Sequence, residues 1–203
     1  WWKAQSSGAI PDTGESARSL TRAQFFGLRP ATDRVVFVID NSGSMQASIG
    51  REGESRYGEA LAQMQGFLGA LGPEARFTVI AFSSRVEIWK DRLESASEEH
   101  VAAAGRWLSY RSPRGGTLLE PAIERALELD ADGRPDLARL EADSVIVLCD
   151  GDTEGPGWIR ELLLRVNFDA CIAFHGVQIG SGGDGSLELL AELSGGDFAL
   201  VAE

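Results

Sequence analysis

Three oxygen-bearing side chains follow an apolar run in the first quarter of the chain. Residues 35–39 are all apolar and lead directly into Asp40, Ser42 and Ser44, which are spaced two residues apart. A continuous apolar run predicts a central strand that is covered on both faces, and open α/β sheets bind ligands at the carboxyl ends of their strands. Carboxylate and hydroxyl groups are hard oxygen ligands, and no His or Cys stands near them in the sequence. This chemistry predicts binding of Mg²⁺, Mn²⁺ or Ca²⁺ and argues against zinc or copper.

Two later segments supply further oxygen ligands. Ser144–Cys149 is a second continuous apolar run, and it leads into Asp150. Between the two runs, Gly115 and Gly116 precede Thr117, whose hydroxyl opens a helical pattern. Because ligands bind at the carboxyl ends of the strands in such a sheet, we expect these loops to meet the first one at a single edge. Five oxygen-bearing side chains can then surround one ion and leave a position for an outside ligand.

The three segments, in this order, resemble the metal-ion-dependent adhesion site (MIDAS) of the von Willebrand factor type A (vWA) domain. The resemblance extends from about Arg34 to the C-terminus. It implies a three-layer, doubly wound α/β fold with a mostly parallel, Rossmann-like sheet of six strands and one antiparallel edge strand. It also implies the metal, which is Mg²⁺ or else Mn²⁺ or Ca²⁺. The metal ligands that it implies in this sequence are Asp40, Ser42, Ser44, Thr117 and Asp150.

The resemblance implies protein binding, in adhesion or assembly, rather than catalysis. In the family the hydroxyl groups hold the ion directly, and the two carboxylates hold it directly or through water. The ion therefore keeps positive charge and accepts an Asp or Glu from a protein partner. Trp158 fits the core slightly better than it fits an exposed anchor. The residues expected around the rim, where they would set partner specificity, are Asn41, Met45, Gln46, Asp152, Thr153, Glu154 and Trp158.

Four other interpretations stay open at this point. Asp and Ser after a strand also cap helices and close Asx turns, and a family member can keep the fold without binding metal. A divalent-metal hydrolase of phosphate esters is a different functional class, but the sequence offers no evident general base. His100 and His175 are the only histidines, no G-x-S-x-G motif is present, and His175 is expected to be a hydrogen-bonded core residue. The last interpretation is a purely structural vWA domain of a larger assembly.

The composition indicates one soluble domain. The 203 residues include 31 acidic and 19 basic side chains, for a formal net charge of −12, which argues against nucleic-acid binding through phosphate neutralisation. No apolar run approaches the ~20 residues of a membrane helix. An extracytoplasmic or membrane-anchored location, through an upstream segment, is an analogy with part of the family. The sequence itself indicates neither the compartment nor the oligomeric state.

Residues 1–33 are expected to form a leader to a vWA domain at residues 34–203. Two adjacent aromatic side chains, Phe25 and Phe26, are expected to pack this leader against the domain. Because the chain begins without Met, we expect a fragment or a processed product. Cys149 and Cys171 are expected to be buried thiols at opposite ends of neighbouring strands, too far apart for a disulfide.

Alternating helix and strand patterns predict the other elements. Helices are predicted at residues 57–71, 97–110, 118–129 and 187–193. Strands are predicted at residues 76–82, 85–89, 170–179 and 198–201, the second antiparallel to the first. Residues 180–185 match G-x-G-x-x-G, but too little chain follows for a ribose-binding acid, so a flexible loop is the better interpretation. Residues 130–133 lack the ligands of a calcium loop and are interpreted as a solvated turn.

Overall fold

Strands and helices alternate through the computed structural model, which describes residue 28 and residues 33–49, 53–71 and 74–201. The nine strands of this described part are β1 (Arg34–Asp40), β2 (Ser48–Ile49), β3 (Glu54–Ser55), β4 (Arg76–Phe82), β5 (Val86–Ile88), β6 (Glu94–Ser95), β7 (Ser144–Cys149), β8 (Ala173–Ile179) and β9 (Phe198–Val201). Its five α-helices are α1 (Arg56–Leu71), α2 (Glu98–Ser109), α3 (Leu119–Ala126), α4 (Ile159–Ala170) and α5 (Ser186–Ser194). The packing of Phe25 and Phe26 lies outside the described residues, so that interpretation and the division at residue 33 stay predictions.

The main sheet has the strand order β5-β4-β1-β7-β8-β9. The pairs β1–β4, β1–β7, β7–β8 and β8–β9 are parallel, whereas β5 runs antiparallel to β4 at the edge. This confirms the predicted sheet, to which the two-residue strand β6 adds a short antiparallel pairing with β4. The chain passes from β1 to β4 on one side and then to β7 on the other. The strand order therefore reverses beside β1, the position where such sheets bind ligands.

Helices cover both faces of the sheet and account for the continuous apolar runs. In β1, Phe37 and Ile39 belong to a core that includes residues of α1 and α2. Val36 and Val38 belong to a second core, which includes residues of α3, α4 and α5. Every residue from Val35 to Asp40 is consequently buried, because each side of the strand contacts a helical layer.

The largest differences from the sequence predictions are in three of the longer elements. Helix α3 ends at Ala126 rather than at residue 129, and Glu128 then takes a left-handed φ of 52°. Helix α4 is not among the predicted elements, although Ile159, Leu162, Leu163 and Val166 lie on its buried side. Because α4 continues to Ala170, strand β8 begins three residues later than predicted.

The two cysteines are free thiols, but their burial differs. Cys149 is buried at the end of β7, as predicted, whereas Cys171 is exposed. The prediction of two buried thiols is therefore wrong for Cys171. The reason is its position, because Cys171 caps the C-terminus of α4 in a left-handed conformation, with φ of 52°, instead of lying inside a strand.

Candidate metal centre

Two acidic side chains meet at the carboxyl ends of β1 and β7. These strands are parallel neighbours, with Ile39 paired to Leu148, so Asp40 and Asp150 leave the sheet at the same edge. Asp40 is fully buried, and Asp150 is only 5% exposed. One carboxylate oxygen from each of them and the sulfur of Cys149 lie within 4.8 Å of one another. This is a compact set of potential cation ligands in a protected position.

Cys149 is the member of this cluster that the sequence interpretation missed. Its thiol lies 3.0 Å from Asp40 Oδ2, to which it donates a hydrogen bond, and 3.9 Å from Asp150 Oδ1. Burial raises the pKa of the Cys149 thiol. The strand register places Cys149 directly beside Asp40, since Ile39 pairs with Leu148. Sequence alone does not fix that register, so it could only indicate that a cysteine precedes Asp150.

The charge of Asp40 is poorly compensated by the protein. Burial raises the pKa of Asp40 to about 6, and Asp150 adds to the increase. The hydrogen bonds from Cys149 and from the backbone N–H of Ser42, at 2.6 Å, oppose this increase only in part. A buried carboxylate beside another carboxylate is costly unless a positive group lies nearby. The electrostatics at this edge therefore favour a cation.

The two predicted serine ligands lie on the turn that follows Asp40. A short 3-10 turn covers Gly43–Gln46, and the Oγ atoms of Ser42 and Ser44 are 3.0 Å apart. Ser42 is buried, whereas Ser44 is exposed. The pair thus extends from the buried carboxylates towards the solvent. Met45 on the same turn is fully buried in the first core, so its predicted place on the rim is wrong.

The loop that carries Thr117 is fastened to the loop that carries Asp40. The backbone N–H of Gly43 donates to the carbonyl of Gly115 at 3.2 Å, and Arg114 N–H donates to the carbonyl of Asn41 at 2.8 Å. Gly115 has a φ of 84°, and a Cβ there would lie 2.7 Å from Ser84 Oγ, so the position requires glycine. These bonds bring the Thr117 segment against the serine turn. Thr117 itself is half-buried.

Arg56 is a second residue that the sequence interpretation missed. It is the first residue of α1, and its Nη1 atom lies 3.4 Å from Asp150 Oδ2. Both side chains are largely buried. A guanidinium therefore faces the same carboxylate that is predicted to hold a metal. Nothing in the sequence spacing indicates this contact, because 94 residues separate the two.

A third acidic residue, Asp184, follows β8 within the glycine-rich segment 180–185. Its Oδ2 accepts hydrogen bonds from the backbone N–H and the hydroxyl of Thr153, at 3.0 and 2.7 Å, and from Gly155 N–H at 3.1 Å. Its Oδ1 accepts one from Ser186 N–H at 2.9 Å. Partial burial alone would raise the pKa of Asp184, but the bonds from Ser186 and Thr153 lower it. Asp184 therefore ties two loops together.

The histidines lie away from this cluster. His175 is 6% exposed within β8, and its Nδ1 accepts a hydrogen bond from Asp197 N–H at 3.1 Å. Burial lowers its pKa, which confirms a neutral, hydrogen-bonded core histidine. His100 Nδ1 instead contacts Ser95, next to the start of α2. Trp158 is half-buried and packs against the second core, close to the expected core position.

The order and geometry of these elements agree with a family match. A sequence profile described as von Willebrand factor type A domain matches residues 35–152, which is more than half of the chain and extends from β1 to just beyond Asp150. The chain belongs to the vWA domain family. None of the described helices of this vWA domain is long and apolar enough to cross a membrane.

Curated relatives include heavy chains of inter-alpha-trypsin inhibitor. The human heavy chain H2 is 32% identical over 128 residues, which cover 62% of this chain and 13% of H2. The heavy chain H1 from Bos taurus is 31% identical over 178 residues, which cover 85% of this chain and 19% of H1. This vWA domain thus spans less than a fifth of the length of either relative.

Solved structures show the same fold at lower sequence identity. A von Willebrand factor type A protein from Catenulispora acidiphila superposes with a TM-score of 0.61 and 20% identity, covering 85% of this chain and 39% of that one. Proximal thread matrix protein 1 from the mussel byssus, in a structure with a zinc-occupied MIDAS motif, has a TM-score of 0.56 and 21% identity. That match covers 82% of this chain and 41% of the mussel protein.

Proposed function

We propose that this vWA domain is a metal-dependent protein-binding module that captures an Asp or Glu of a protein partner. The proposed ligands of the cation are Asp40, Ser42, Ser44, Thr117 and Asp150. The observation that carries the proposal is the pair of buried carboxylates, Asp40 and Asp150, which neighbouring strands deliver to one sheet edge. The serine turn and the Thr117 loop, fastened to each other by backbone hydrogen bonds, lie at that edge.

The donor set fits a divalent cation. Two carboxylates and adjacent hydroxyl groups suit Mg²⁺ or Mn²⁺. A bound cation would also stabilise the buried carboxylate of Asp40. Zinc is a candidate as well, contrary to the expectation from the sequence, because a cysteine lies near these oxygens. Cys149 Sγ is 3.0 Å from Asp40 Oδ2, and thiolates are ligands that zinc accepts. Zinc therefore joins Mg²⁺, Mn²⁺ and Ca²⁺ among the ions to test.

A bound cation would supply the positive charge that this acidic protein needs to attract a carboxylate. The two buried carboxylates, Asp40 and Asp150, would hold this cation at one point near the surface. Ser44 is exposed and Thr117 is half-buried, so the site opens to solvent on the side of these hydroxyl groups. A partner would approach from that side. Binding is favoured over phosphate-ester hydrolysis because His100 and His175, the natural candidates for a general base, are engaged elsewhere.

Isothermal titration of Mg²⁺, Mn²⁺, Ca²⁺ and Zn²⁺ into EDTA-treated protein tests the metal site. We expect saturable one-to-one binding for the native chain and its loss in Ser42→Ala/Ser44→Ala. The double variant Ser109→Ala/Ser181→Ala removes two exposed hydroxyl groups elsewhere and should bind as the native chain does. Equal binding by both variants would contradict the ligand assignment. A native chain that binds none of the ions, and whose melting temperature millimolar metal leaves unchanged, would contradict metal dependence itself.

A further inference from the structure

An open cleft of about 720 Å³ lies beside the proposed metal site, on the side of the antiparallel edge strand β5. We call it the arginine cleft, because Arg85, Arg111 and Arg114 line it together with Asn41 and Glu87. Three guanidinium groups and one carboxylate give it positive charge, although the whole chain carries −12. A cleft lined by cations focuses a local positive field, which attracts anions even to an acidic protein.

One of the three arginines has partners within the protein, and the other two are exposed to a ligand. The Arg111 guanidinium stacks on the Trp107 ring, 3.4 Å from its centroid, and forms an ion pair with Glu87 at 2.6 Å. Arg85 and Arg114 are exposed, and neither forms an ion pair with a carboxylate among the described residues. Glu87 therefore neutralises Arg111, and the charges of Arg85 and Arg114 are left for a ligand.

Two polar atoms in the wall of the cleft lack hydrogen-bond partners. Asn41 Oδ1 and Arg111 Nε are buried, and no described residue pairs with either of them. Asn41 is itself 9% exposed. Buried polar groups in folded proteins are nearly always hydrogen-bonded. Arg111 Nε is a donor that suits a carboxylate, whereas Asn41 Oδ1 is an acceptor that a carboxylate cannot satisfy and that suits a peptide N–H of the same ligand.

The arginine cleft is continuous with the proposed metal site. Asn41 lies between Asp40 and Ser42 in the sequence, and its carbonyl accepts the hydrogen bond from Arg114 N–H at 2.8 Å. Gly115 lines the cleft as well, and its carbonyl accepts from Gly43 on the serine turn. One ligand chain can therefore lie across both regions.

We propose that the arginine cleft binds a second carboxylate of the partner, so that the partner presents an acidic peptide with at least two nearby Asp or Glu side chains. This inference rests on the proposed function, in which the first carboxylate binds the metal. Guanidinium groups form strong, charge-assisted hydrogen bonds with carboxylates. A long, dense polyanion such as a sulfated polysaccharide fits less well than a short peptide, because it would extend beyond the cleft over the surface of a protein with a net charge of −12.

Fluorescence anisotropy with a fluorescein-labelled hexaglutamate peptide, in the presence of Mg²⁺, tests this proposal. We expect saturable binding by the native chain and roughly tenfold weaker binding by Arg85→Gln/Arg114→Gln, which loses two partly exposed charge-assisted contacts. The control Arg134→Gln/Arg139→Gln makes the same change of net charge in the segment between α3 and β7. Arg139 lies there beside Val36 and Ala142, near the opposite sheet edge. The control should bind within about twofold of the native chain, as expected for exposed charges away from the contact.

The outcomes separate the cleft from the metal site. Equal weakening by Arg85→Gln/Arg114→Gln and by its control, or no binding by the native chain at millimolar protein, would overturn the proposal for the cleft. Tighter binding of a heparin fragment than of hexaglutamate would overturn the choice of an acidic peptide. If Ser42→Ala/Ser44→Ala binds normally while the arginine variant is weakened, the cleft is supported and metal capture fails. If only the serine variant is weakened, metal capture is supported and the cleft is overturned.

Discussion

Asp40 and Asp184 are both acidic residues that follow parallel strands of the same sheet, yet the protein treats them in opposite ways. Asp184 accepts four hydrogen bonds, from Thr153, Gly155 and Ser186, and its pKa is lowered. Asp40 lies deeper, and burial raises its pKa to about 6. The deeper burial of Asp40 explains most of the difference, because its hydrogen bonds offset the cost of burying the charge only in part, whereas the hydrogen bonds to the less buried Asp184 outweigh that cost.

The comparison distinguishes a structural carboxylate from one that is available to a ligand. The charge of Asp184 is stabilised by hydrogen bonds within the protein, so Asp184 does not need a cation. Asp40 receives hydrogen bonds from Ser42 and from the Cys149 thiol that offset its burial only in part, and it has Asp150 as a neighbour. A buried carboxylate of this kind has an energetic cost that a bound cation relieves.

The largest expected effect is on metal affinity. Asp40→Asn should weaken Mg²⁺ or Mn²⁺ binding by more than the roughly 100-fold that loss of an outer-shell partner can cause. Asp184→Asn should leave affinity within about twofold of the native value, a change too small to indicate a lost ligand. Both are measured by isothermal titration. A similar loss of affinity in the two variants would break the comparison, because it would make Asp184 part of the metal site.

The next effect is on stability without metal. Here Asp184→Asn should show the larger change, whereas Asp40→Asn shows the larger change in metal affinity. Asp184→Asn should lower the free energy of unfolding by about 2 kcal/mol, because the amide cannot accept all four hydrogen bonds. Asp40→Asn should be no less stable than the native chain, since it removes a buried charge. Urea denaturation in EDTA measures both. A loss of stability in Asp40→Asn as large as that in Asp184→Asn would show that the charge of Asp40 supports the fold.

The pH dependence of the same variants gives an independent check. The pKa of Asp184 is lower in the folded chain than its ordinary value of 3.8, so the unfolded chain binds a proton first as the pH falls. The stability that Asp184 contributes is therefore fully present above about pH 4 and is lost as the pH falls through the folded pKa. The difference between the native chain and Asp184→Asn should shrink over that range. A difference that does not shrink as the pH falls below about 4 would assign the effect to packing rather than to charge.

The sequence predicted the strands that carry the ligands of this site better than the side chains that contact those ligands. Strands β4 and β9 have the predicted boundaries, and the apolar runs place Asp40 and Asp150 at one edge because such runs read directly as buried parallel strands. Cys149 and Arg56 were missed because their positions depend on strand register and on helix packing across the chain. Met45 was misplaced on the rim because the handedness of a short turn decides which of its residues face the core. Local sequence patterns indicate which strand or loop carries a ligand, but not which residues from distant parts of the chain contact that ligand.

The smallest expected effect concerns Arg56, which lies beside Asp150. Its Nη1 atom is 3.4 Å from Asp150 Oδ2, so a bound metal must share this carboxylate with a guanidinium and is repelled by it. Arg56→Gln should therefore bind Mg²⁺ more tightly, by about three- to tenfold, as expected for removing one like charge at a partly screened distance. Arg56→Lys keeps the charge and should stay close to the native affinity, which separates charge from packing. Titration of both variants measures the effect, and weaker binding by Arg56→Gln would mean that Arg56 instead holds Asp150 in position for the ion.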